Sequence, residues 1–331
     1  MGAAIAQYAD RMPEYDHLLV YAERAESPIE PAWLERFIAA EPMRTGHVSR
    51  ILQIARFRSR HRPQVIHLHS SFAGVYGRLA VSRRRARIVF TPHCYAFERL
   101  DLSAGVRGAV RLIEKGLSLN TSVVAACSKH ESELAEDLGF KTHAVHVPSI
   151  VSPLDRVLPE NPPVVAASGR LSPQKDPAYF LEIARRFRRE HPRSDARFEW
   201  IGNTDPAWDR AFADAEVSVT GWLPREEARD RLARASVYVH CALWEGFPVS
   251  ILDAVDSGVP LAVRDLPYAL SVPRDSLFSD PEEAVALIAR QLAEPEDQRS
   301  SVPWKEFLVA HSAERQRQGL EVAYGPMGTP S

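Results

Sequence analysis

The chain of 331 residues contains little cysteine and no long apolar run. Its three cysteines, Cys94, Cys127 and Cys241, are widely spaced and form no CxxC pair. This pattern argues against a disulfide framework or a zinc site and favours a reducing compartment. No stretch approaches the roughly 18–20 apolar residues of a membrane span, and no secretory signal pattern opens the sequence. We therefore expect a cytoplasmic protein without a membrane-spanning helix.

Three catalytic signatures are also missing. The sequence has no P-loop, no G-x-S-x-G element with its triad, and no DxD pair that would bridge a metal to a diphosphate. No internal repeat or low-complexity tract occurs. A hydrophobic content of 45% and a charged content of 25% are ordinary for a globular protein. These absences exclude several enzyme classes, and the length gives one or two domains as the expectation.

Charge is nearly balanced overall, with a net value of −2, but it is uneven along the chain. Residues 1–150 carry 20 basic against 15 acidic side chains, whereas the remainder carries 21 against 28. A basic first half suggests an anionic partner such as a membrane surface or a lipid-linked phosphate, and an incidental imbalance explains it equally well. We expect no nucleic-acid partner.

The most informative stretch reads VYVHCALWEGFPVSILDAVDSGVP, from Val237 to Pro260. A short apolar strand leads into a loop with Glu245, and helical spacing of apolar residues follows Pro248. Gly258 is typical of a helix C-terminus. Glu245 and Asp253 are therefore expected on one rim, beside a helix N-terminus that attracts anions. A ligand with a phosphate at one end and hydroxyls at the other suits this rim, although a surface Glu and a helix Asp on any α/β domain would look the same.

A second anion-binding pattern lies earlier, in VVAASGRLSPQKDP. A predicted strand at Val164 to Ala167 is followed by Gly169, Arg170 and Lys175, and then by a helix. A glycine turn, two cations and a helix N-terminus together form an anion pocket. An ordinary basic loop between a strand and a helix is the alternative.

These two segments resemble the motifs of the family 4 retaining glycosyltransferases, which have the GT-B fold of two Rossmann-like domains facing across a cleft. WEGFPVSILDA is similar to the E-x7-E signature, with Asp253 in place of the second acid. The resemblance implies that Glu245, with Gly246, Phe247 and Pro248, meets the donor sugar, and that Asp253 holds the ribose at shortened reach. It assigns binding of the diphosphate to Arg170, Lys175, Val249 and Ser250. Besides Asp253, it assigns binding of the nucleotide to Gly169, Gly221 and Leu223.

The resemblance extends into the first half. VIHLHSSFAG, with His67 and His69 on a strand, is similar to an HxHSS-type family segment, and Ser70 and Ser71 are expected to cap the helix that follows. The two histidines have metal-like spacing, but strand-end packing is favoured because no third ligand is near. TPHC resembles the family segment with the active-site histidine, which implies a catalytic role for His93. The family's opening strand and glycine turn are missing ahead of Gly2, so we expect a truncated first domain.

Two further segments of the first half lead to structural expectations. Residues 31–61 read as helical and end in a basic patch. Residues 104–119 predict a basic amphipathic helix, with Val106, Val110, Ile113 and Leu117 on one face and Arg107, Arg111 and Lys115 on another. A solvated basic face is the default interpretation, and docking on a membrane surface is the alternative.

The expected organisation is an acceptor-side domain at 1–151, a proline-rich linker at 152–163, a nucleotide-sugar domain at 164–302 and a terminal helix and tail at 303–331 that cross back to the first domain. The predicted activity is retaining transfer of a hexose-type sugar from a UDP or GDP donor to a glycan or lipid-linked acceptor, at the cytoplasmic face of a membrane, without a metal or other cofactor. Two rival functions stay open: a GT-B sugar-nucleotide epimerase, and a catalytically weak nucleotide-sugar-binding subunit.

Overall fold

The protein divides into two units, the first formed by Met1–Ile150 with His311–Ser331 and the second by Val151–Ala310. The computed structural model describes residues 2–22, 31–139, 144–150, 153, 157–294 and 301–326. Part of the predicted linker at 152–163 lies outside the described residues. None of the described helices is both long enough and apolar enough to cross a lipid bilayer.

The first unit alternates helices and parallel strands. Its elements in chain order are α1 (Gly2–Arg11), β1 (Leu18–Tyr21), α2 (Pro31–Leu34), β2 (Ala39–Pro42), α3 (His47–His61), β3 (Val65–His69), α4 (Ser71–Ala80), β4 (Arg87–Thr91), α5 (Ala104–Ser118), β5 (Val123–Ala126), α6 (Lys129–Asp137) and β6 (Ala144–His146).

The second unit repeats this alternation, and the chain then returns to the first unit. Its elements are β7 (Val164–Ser168), α7 (Pro177–Glu190), β8 (Arg197–Ile201), α8 (Pro206–Asp214), β9 (Val217–Val219), α9 (Arg225–Ala233), β10 (Val237–His240), α10 (Val249–Ser257), β11 (Leu261–Arg264), β12 (Leu277–Phe278), α11 (Pro281–Ala293) and α12 (Val302–Ala310). The last helix, α13 (Ala313–Tyr324), belongs to the first unit.

Strands of the first unit form two separate sheets. One has four parallel strands in the order β3-β4-β5-β6, and the other is the parallel pair β1-β2. Along β4, Ile88 and Phe90 pack into one core cluster while Val89 packs into another, as the two-residue period of a strand requires. Both faces of the four-stranded sheet are therefore covered, which explains its continuous apolar strands.

The second unit contains one parallel sheet of six strands in the order β12-β11-β10-β7-β8-β9. Its core includes the inward side chains of β7, β8 and β10 and the apolar faces of α7 and α11, with Phe180, Phe198 and Trp200 fully buried. The side chains that carry the predicted chemistry follow the carboxyl ends of these strands, where open α/β sheets place their ligands.

Three sequence expectations about elements are wrong. Residues 31–61 are not one helix, because Ala39–Pro42 forms β2 and hydrogen-bonds beside β1. The terminal helix is two helices, since the Ser312 side chain accepts from Arg315 N–H and starts α13 anew. Ser70 precedes α4, but its side chain makes no capping hydrogen bond. Tertiary pairing and local capping override the apolar periodicity at these places.

The predicted apolar face of α5 is only partly covered. The protein-facing side includes Glu114 and Ser118, which are 3% and 7% exposed. Val110 of the predicted apolar face packs against the core of the four-stranded sheet, whereas Val106 and Ile113 are 47% and 53% exposed. Glu114 is buried because its Oε2 accepts from Nη2 of the fully buried Arg78 at 2.7 Å. A buried ion pair therefore orients this helix together with the packing of Val110.

Candidate active site

The order of strands reverses between β7 and β10, which are neighbours in the second unit's sheet. After β7 the chain adds β8 and β9 on one side, whereas β11 and β12 extend the sheet on the other side of β10. This is a topological switch point, where the loops from the two central strands diverge and leave room for a ligand. Gly169 to Lys175 follow β7, and Glu245 follows β10, so the two predicted motifs meet here.

Lys175 and Glu245 form an ion pair at this position. Nζ of Lys175 lies 2.5 Å from Oε1 of Glu245, and the two side chains are 22% and 13% exposed. Burial by itself lowers the pKa of Lys175, but the Glu245 carboxylate and its other neighbours raise that pKa above the ordinary value. The lysine therefore stays charged in a largely dry environment, where a charge acts strongly on a ligand.

Gln174 joins the two loops that carry this ion pair. Its backbone carbonyl accepts from Leu243 N–H at 2.8 Å, and its Nε2 donates to the Trp244 carbonyl at 3.0 Å. The side-chain and backbone bonds of one residue thus fix the position of Lys175 relative to Glu245. The pair is held by the fold rather than by its own attraction alone.

Gly169 lies directly beneath the stem of Lys175. Its φ of 142° favours glycine, and a Cβ there would lie 2.8 Å from Lys175 Cγ. The Gly169 carbonyl accepts from Nε1 of Trp200 at 2.9 Å, and a Cβ on Gly202 would lie 2.0 Å from that same oxygen. Two glycines and a tryptophan therefore shape the turn over which the lysine lies.

Arg170 and Arg264 supply two more cations at this edge of the sheet. The side chain of Arg170 is exposed and forms no ion pair within the described residues. Arg264, at the end of β11, donates from Nη1 to Oδ2 of Asp176 at 2.9 Å and stacks 3.8 Å from the ring centroid of Tyr179. Arg170 is thus the cation left open to a ligand, whereas Arg264 braces the start of α7.

The helix α10 begins immediately after the Glu245 loop. Pro248 precedes it, so the first N–H groups of the helix belong to Val249 and Ser250, and such groups have no intrahelical partner. Gly246, Phe247 and Pro248 are all buried. The ring of Phe247 packs against Phe307 of α12, with 6.2 Å between centroids. Its side chain therefore supports the loop within the second unit.

Asp253 is buried on the second turn of α10 and is paired with Arg229 of α9. Nε of Arg229 donates to Oδ1 of Asp253 at 2.8 Å, and the two side chains are 5% and 11% exposed. Burial raises the pKa of Asp253, and the guanidinium acts in the opposite direction. The acid that the sequence assigns to the ribose thus already has an ionic partner.

The Gly221–Leu223 segment follows β9 and is tied to the turn after β8. Oγ1 of Thr220 accepts from Gly202 N–H at 3.2 Å and donates to the Gly221 carbonyl at 2.8 Å. Gly221 has a φ of 79°, and Leu223 is half-buried. The predicted nucleotide segment therefore lies at the same carboxyl edge as Gly169, two strands along the sheet.

In the first unit, the ends of β3 and β4 bring three histidines together. Nδ1 of His69 lies 3.1 Å from Nε2 of His93, and the rings of His67 and His69 have centroids 4.1 Å apart. Burial lowers the pKa of His67 and of His93 to about 3. All three imidazoles are therefore neutral near pH 7, since the pKa of His69 also lies well below its ordinary value.

The hydrogen bonds of His67 define its tautomer. Thr91 Oγ1 donates to the Ala125 carbonyl at 2.8 Å, so it accepts from Nε2 of His67, also at 2.8 Å. Nδ1 of the neutral ring is then an acceptor for the Tyr324 hydroxyl at 3.1 Å. Both ring nitrogens of His67 thus have hydrogen-bond partners, so His67 is a structural histidine, as packing near the strand end predicts. Of the three histidines, His93 alone lies in the loop that follows β4.

Glu131 holds the loop that carries His93. Its Oε1 accepts from Cys94 N–H at 2.5 Å, and its Oε2 accepts from Cys127 N–H at 3.0 Å. His93 and Cys94 have φ values of 50° and 80°, which residues other than glycine seldom adopt. Such strained backbone persists where surrounding bonds enforce it and is concentrated at functional sites. A buried carboxylate is therefore what fixes the direction of the His93 loop.

Family comparisons agree with this two-unit arrangement. Residues 6–149 match the family described as glycosyl transferase 4-like domain. Residues 162–294 match the family described as glycosyl transferases group 1. Between them the two matches span both units. Together the two matches identify the chain as a glycosyltransferase.

One curated relative of this glycosyltransferase is the Escherichia coli UDP-Gal:alpha-D-GlcNAc-diphosphoundecaprenol alpha-1,3-galactosyltransferase. It is 24% identical over 65% of this chain, and the match spans 61% of its own length. Among solved structures, sucrose-phosphate synthase of Thermosynechococcus elongatus is similar at 14% identity and a TM-score of 0.77, over 97% of this chain and 91% of its own. Anabaena HepE, solved with UDP and glucose, is similar at 14% identity and a TM-score of 0.73, over 97% of this chain and 95% of its own. These likenesses confirm the GT-B fold of two Rossmann-like domains.

The structure places the sequence-predicted residues in two groups. His93 belongs to the first unit, and all the others follow the strand ends of the second unit. These others are Gly169, Arg170, Lys175, Gly221, Leu223, Glu245 to Ser250 and Asp253. Sequence reasoning missed Glu131, Arg229 and Arg264. Glu131 alone had a local signal, since Ser128 followed three residues later by Glu is the pattern of a helix capping box. Within the described residues, no cluster of three or more His, Cys, Asp or Glu side chains is arranged to hold a metal ion.

Proposed function

We propose that this glycosyltransferase moves a sugar from a nucleotide-diphosphate donor of the UDP or GDP type to a glycan or lipid-linked acceptor, with retention of the anomeric configuration. The observation that carries the proposal is the contact of Lys175 with Glu245 at the switch point, beside the N-terminus of α10. A cation and a carboxylate are thus held together where a diphosphate would join a sugar. The galactosyltransferase relative, whose name specifies UDP-Gal and a diphosphoundecaprenol-linked acceptor, supports both substrate classes.

In this proposal, donor binding separates the Lys175–Glu245 ion pair, and each of the two side chains then contacts the donor. Lys175, Arg170 and the N–H groups of Val249 and Ser250 bind the diphosphate, because cations and helix N-termini favour anions. Glu245 then turns from Lys175 to the sugar hydroxyls. Glu245 is placed for this role because Gln174 keeps its loop in position without help from the lysine. The nucleoside contacts Asp253, Gly169, Gly221 and Leu223.

The proposed chemistry is a front-face displacement at the anomeric carbon. The bond from that carbon to the diphosphate oxygen breaks, and the bond to the acceptor oxygen forms on the same face of the sugar. The acceptor's proton passes to the departing phosphate oxygen, which acts as the base. Arg170, Lys175 and the α10 N-terminus stabilise the charge that develops on the diphosphate, so the proposal uses no metal. His93 is proposed to hydrogen-bond to the donor sugar as a neutral imidazole.

The diphosphate assignment is tested by removing its cations. Arg170→Ala and Lys175→Ala should each weaken binding of UDP or GDP by about 1.5–3 kcal/mol, the size of a charge-assisted hydrogen bond. Isothermal titration calorimetry measures this loss, with Lys305→Ala, an exposed lysine of α12, as the matched control. Unchanged affinity in both site variants would remove these residues from the donor site.

The reaction is tested with UDP-galactose, UDP-glucose and GDP-mannose against a lipid-linked acceptor analogue. Nuclear magnetic resonance of the product should show the anomeric configuration of the donor, and an inverted product would contradict retention. An epimerised nucleotide sugar without acceptor would identify an epimerase instead. Nucleotide binding without transfer across the acceptor panel would identify a binding subunit, a function that the Arg229–Asp253 pair favours because it occupies the ribose-binding acid.

We also propose that the sheet of the first unit is completed by one more strand. Among the described residues β1 pairs only with β2, and β3 pairs on one side only, with β4. A strand between β1 and β3 would join the two sheets and pair both edges. Adding a strand-plus-glycine segment ahead of Gly2 should raise both the melting temperature and the transfer rate. Equal values with and without that segment would show that the two sheets are the finished arrangement.

A further inference from the structure

The ring of His69, at the end of β3, packs against three other aromatic rings. Its centroid is 4.1 Å from that of His67 and 5.4 Å from that of His93, and the planes of His69 and His93 are inclined by only 23°. Tyr8 of α1 packs against it too, with 5.6 Å between centroids. These contacts restrict how the His69 ring can turn.

Backbone contacts bring His69 and His93 together. His69 pairs with Thr91 in the ladder between β3 and β4, and Ser70 N–H donates to the Thr91 carbonyl at 2.9 Å. His93 follows Thr91 by two residues, in the loop that Glu131 holds by accepting from the next N–H along the chain. The sheet and Glu131 therefore set the approach of the two rings, and the rings do not depend on their own hydrogen bond to meet.

The contact between the two rings uses one nitrogen of each. Nδ1 of His69 lies 3.1 Å from Nε2 of His93. Burial lowers the pKa of both residues, so both rings are neutral near pH 7. A neutral imidazole has one N–H and one lone pair, so one ring donates and the other accepts. In the described part of the chain, no protein group hydrogen-bonds to the second nitrogen of either ring, and each ring is half-buried.

The direction of this hydrogen bond decides what His93 offers to a ligand. If Nε2 of His93 donates, both rings carry their proton on Nε2, which is the tautomer that a neutral histidine side chain prefers in water. The reverse direction places the proton on Nδ1 in both rings. His67 already has the preferred form, because its Nε2 donates to Thr91 Oγ1. The first direction is therefore favoured, and it leaves the lone pair of His93 Nδ1 for a partner.

We propose that His69 is a positioning residue for the donor sugar, because it accepts from Nε2–H of His93 and so presents Nδ1 of His93 as the acceptor for one sugar hydroxyl. The proposal rests on the proposed function, which assigns His93 to the donor sugar. His69 acts through His93 and does not touch the sugar. In histidine pairs of this kind, the bond made by one ring nitrogen determines the role of the other. The favoured donors are therefore those with a free hydroxyl at the position that meets His93.

The tautomer is measured on the full chain without a ligand, so this test is independent of sugar transfer. Nitrogen-15 NMR of histidine-labelled protein distinguishes protonated from unprotonated ring nitrogens, and His93→Gln identifies the signals of His93. The proton of His93 should be on Nε2. In His69→Phe, which keeps a ring beside Tyr8 but has no nitrogen, the two tautomers of His93 should mix. In His69→Asn the amide oxygen accepts in place of Nδ1, so the Nε2–H form should persist.

Transfer kinetics test whether this hydrogen bond acts on the sugar. His69→Phe should lower kcat about five- to tenfold, the effect of one neutral hydrogen bond, and His69→Asn should restore most of the rate. Calorimetry with UDP or GDP should show unchanged affinity, because the proposed nucleotide contacts belong to the second unit. His311→Phe is the matched control, since it also replaces a first-unit histidine whose Nδ1 is hydrogen-bonded, in this case to the Ser149 carbonyl. It should change neither the His93 signals nor the rate.

Donor analogues identify the hydroxyl and separate positioning from a general structural effect. The preferred nucleotide sugar is compared with its 2-, 3-, 4- and 6-deoxy derivatives. Removing the hydroxyl that donates to His93 should slow the parent about five- to tenfold. The same removal should slow His69→Phe much less, because the acceptor is no longer oriented in that variant. If His69 only supported the fold, its replacement would slow every donor by the same factor.

Three results would overturn the proposal. They are a proton on Nδ1 of His93 in the parent, His93 signals that do not change in His69→Phe, and an equal loss of rate in His69→Asn and His69→Phe. If His69→Phe did not fold, the parent spectrum and His69→Asn would still decide. The expected tautomer without transfer from any donor would contradict the proposed function while leaving the histidine pair as described.

Discussion

Arg229 on α9 donates from Nε to Oδ1 of Asp253 on α10 at 2.8 Å, in a contact that is almost closed to solvent. The same guanidinium reaches Glu226 through Nη1 at 3.0 Å. Asp253 is one methylene shorter than glutamate, so its carboxylate stays close to the helix and within range of Arg229. A ribose would therefore meet a carboxylate whose orientation is already set by an arginine.

Removing the arginine from this pair should destabilise the second unit. Arg229→Leu leaves the Asp253 carboxylate buried without its cation, and we expect a loss of about 3–5 kcal/mol in the free energy of unfolding. Urea unfolding measures the loss. The double variant Arg229→Leu with Asp253→Leu should recover most of it, because no buried charge then remains. A single variant as stable as the parent would show that the pair contributes nothing.

The role of Asp253 toward the nucleotide needs a separate experiment. If Asp253 holds the ribose at short reach, Asp253→Glu should keep or improve UDP or GDP affinity, while Asp253→Ala should lose it. Isothermal titration calorimetry on all three proteins gives the comparison. Should all three bind equally, Asp253 serves the helix pair and not the ligand.

Two glycine substitutions separate backbone strain from a steric clash at the donor site. Gly169→Ala adds a methyl 2.8 Å from Lys175 Cγ at a φ of 142°, so it must displace the lysine. Gly221→Ala also strains the backbone, at a φ of 79°, but its methyl meets nothing within 4 Å. Both should reduce stability, by about 1–3 kcal/mol.

We expect Gly169→Ala to weaken nucleotide diphosphate binding more than binding of the nucleoside monophosphate, because it moves the diphosphate's lysine. Gly221→Ala should affect both nucleotides alike. Calorimetry with UDP and UMP distinguishes the two patterns. Parallel losses in both variants would show that backbone strain alone matters at these turns.

Glu131 is predicted to position His93 without touching the substrate. In Glu131→Gln an amide NH₂ replaces one carboxylate oxygen, so either Cys94 N–H or Cys127 N–H loses its acceptor. The His93 loop should then shift, and the transfer rate should fall on the order of tenfold or more. The KM for the donor should change less than the rate, since His93 is the one predicted donor contact in this unit and the others belong to the second unit.

Glu114→Gln is the matched control for this experiment, because it too removes a buried carboxylate of the first unit. Both variants should lower the free energy of unfolding, but only Glu131→Gln should lower the rate with a water-soluble acceptor. A rate that falls equally in both would reduce the role of Glu131 to stability.

Stability should fall as the solution becomes acidic. Burial lowers the pKa of six histidines: to about 3 in His67 and His93, to about 4 in His311, well below the ordinary value in His69 and His240, and also in His146. The unfolded chain takes up these protons near pH 6.5, before the folded chain does, so stability is complete above that pH and is lost as the pH falls toward the folded values.

The expected loss is about 1.4 kcal/mol per pH unit for each proton that the unfolded state binds in excess. Glu114 and Glu131, whose pKa values are raised by burial, offset part of it. Urea unfolding at pH 7 and pH 5 measures the slope. Five of the six histidines lie in the first unit, so its amides should lose hydrogen-exchange protection first. Equal stability at both pH values would contradict this account.

Much of the donor site could be predicted from the sequence because its residues lie on consecutive strand-to-helix turns. Glycine, cations and a helix start in one turn define an anion pocket wherever the strand lies in the sheet. The sequence could not predict that Lys175 would contact Glu245, since that contact depends on β7 and β10 being neighbours. It also could not predict Arg229, whose partner is 24 positions away.

The errors have a common physical cause. Residues 31–61 carry apolar side chains at helical spacing, yet hydrogen bonds to β1 make Ala39–Pro42 a strand. On α5, Val110 packs on the core while Val106 and Ile113 of the same predicted face are exposed, because Arg78 pairs with Glu114 beneath the helix. In both cases a partner distant in sequence decides the outcome, and periodicity within one segment contains no information about that partner.

The division of the first unit's strands into two sheets has a consequence for how the protein opens. The β1-β2 pair is hydrogen-bonded within itself, and no ladder connects it to β3 in the described structure. Instead of a ladder, side-chain contacts attach α1 to the rest of the unit: Tyr8 and Met12 pack on the larger sheet, Gln7 Nε2 donates to the Ile150 carbonyl, and Arg317 Nη1 donates to the Arg11 carbonyl. The segment from α1 to β2 can therefore detach as a cooperative subdomain while the four-stranded sheet stays intact, so that a partly unfolded species precedes global unfolding.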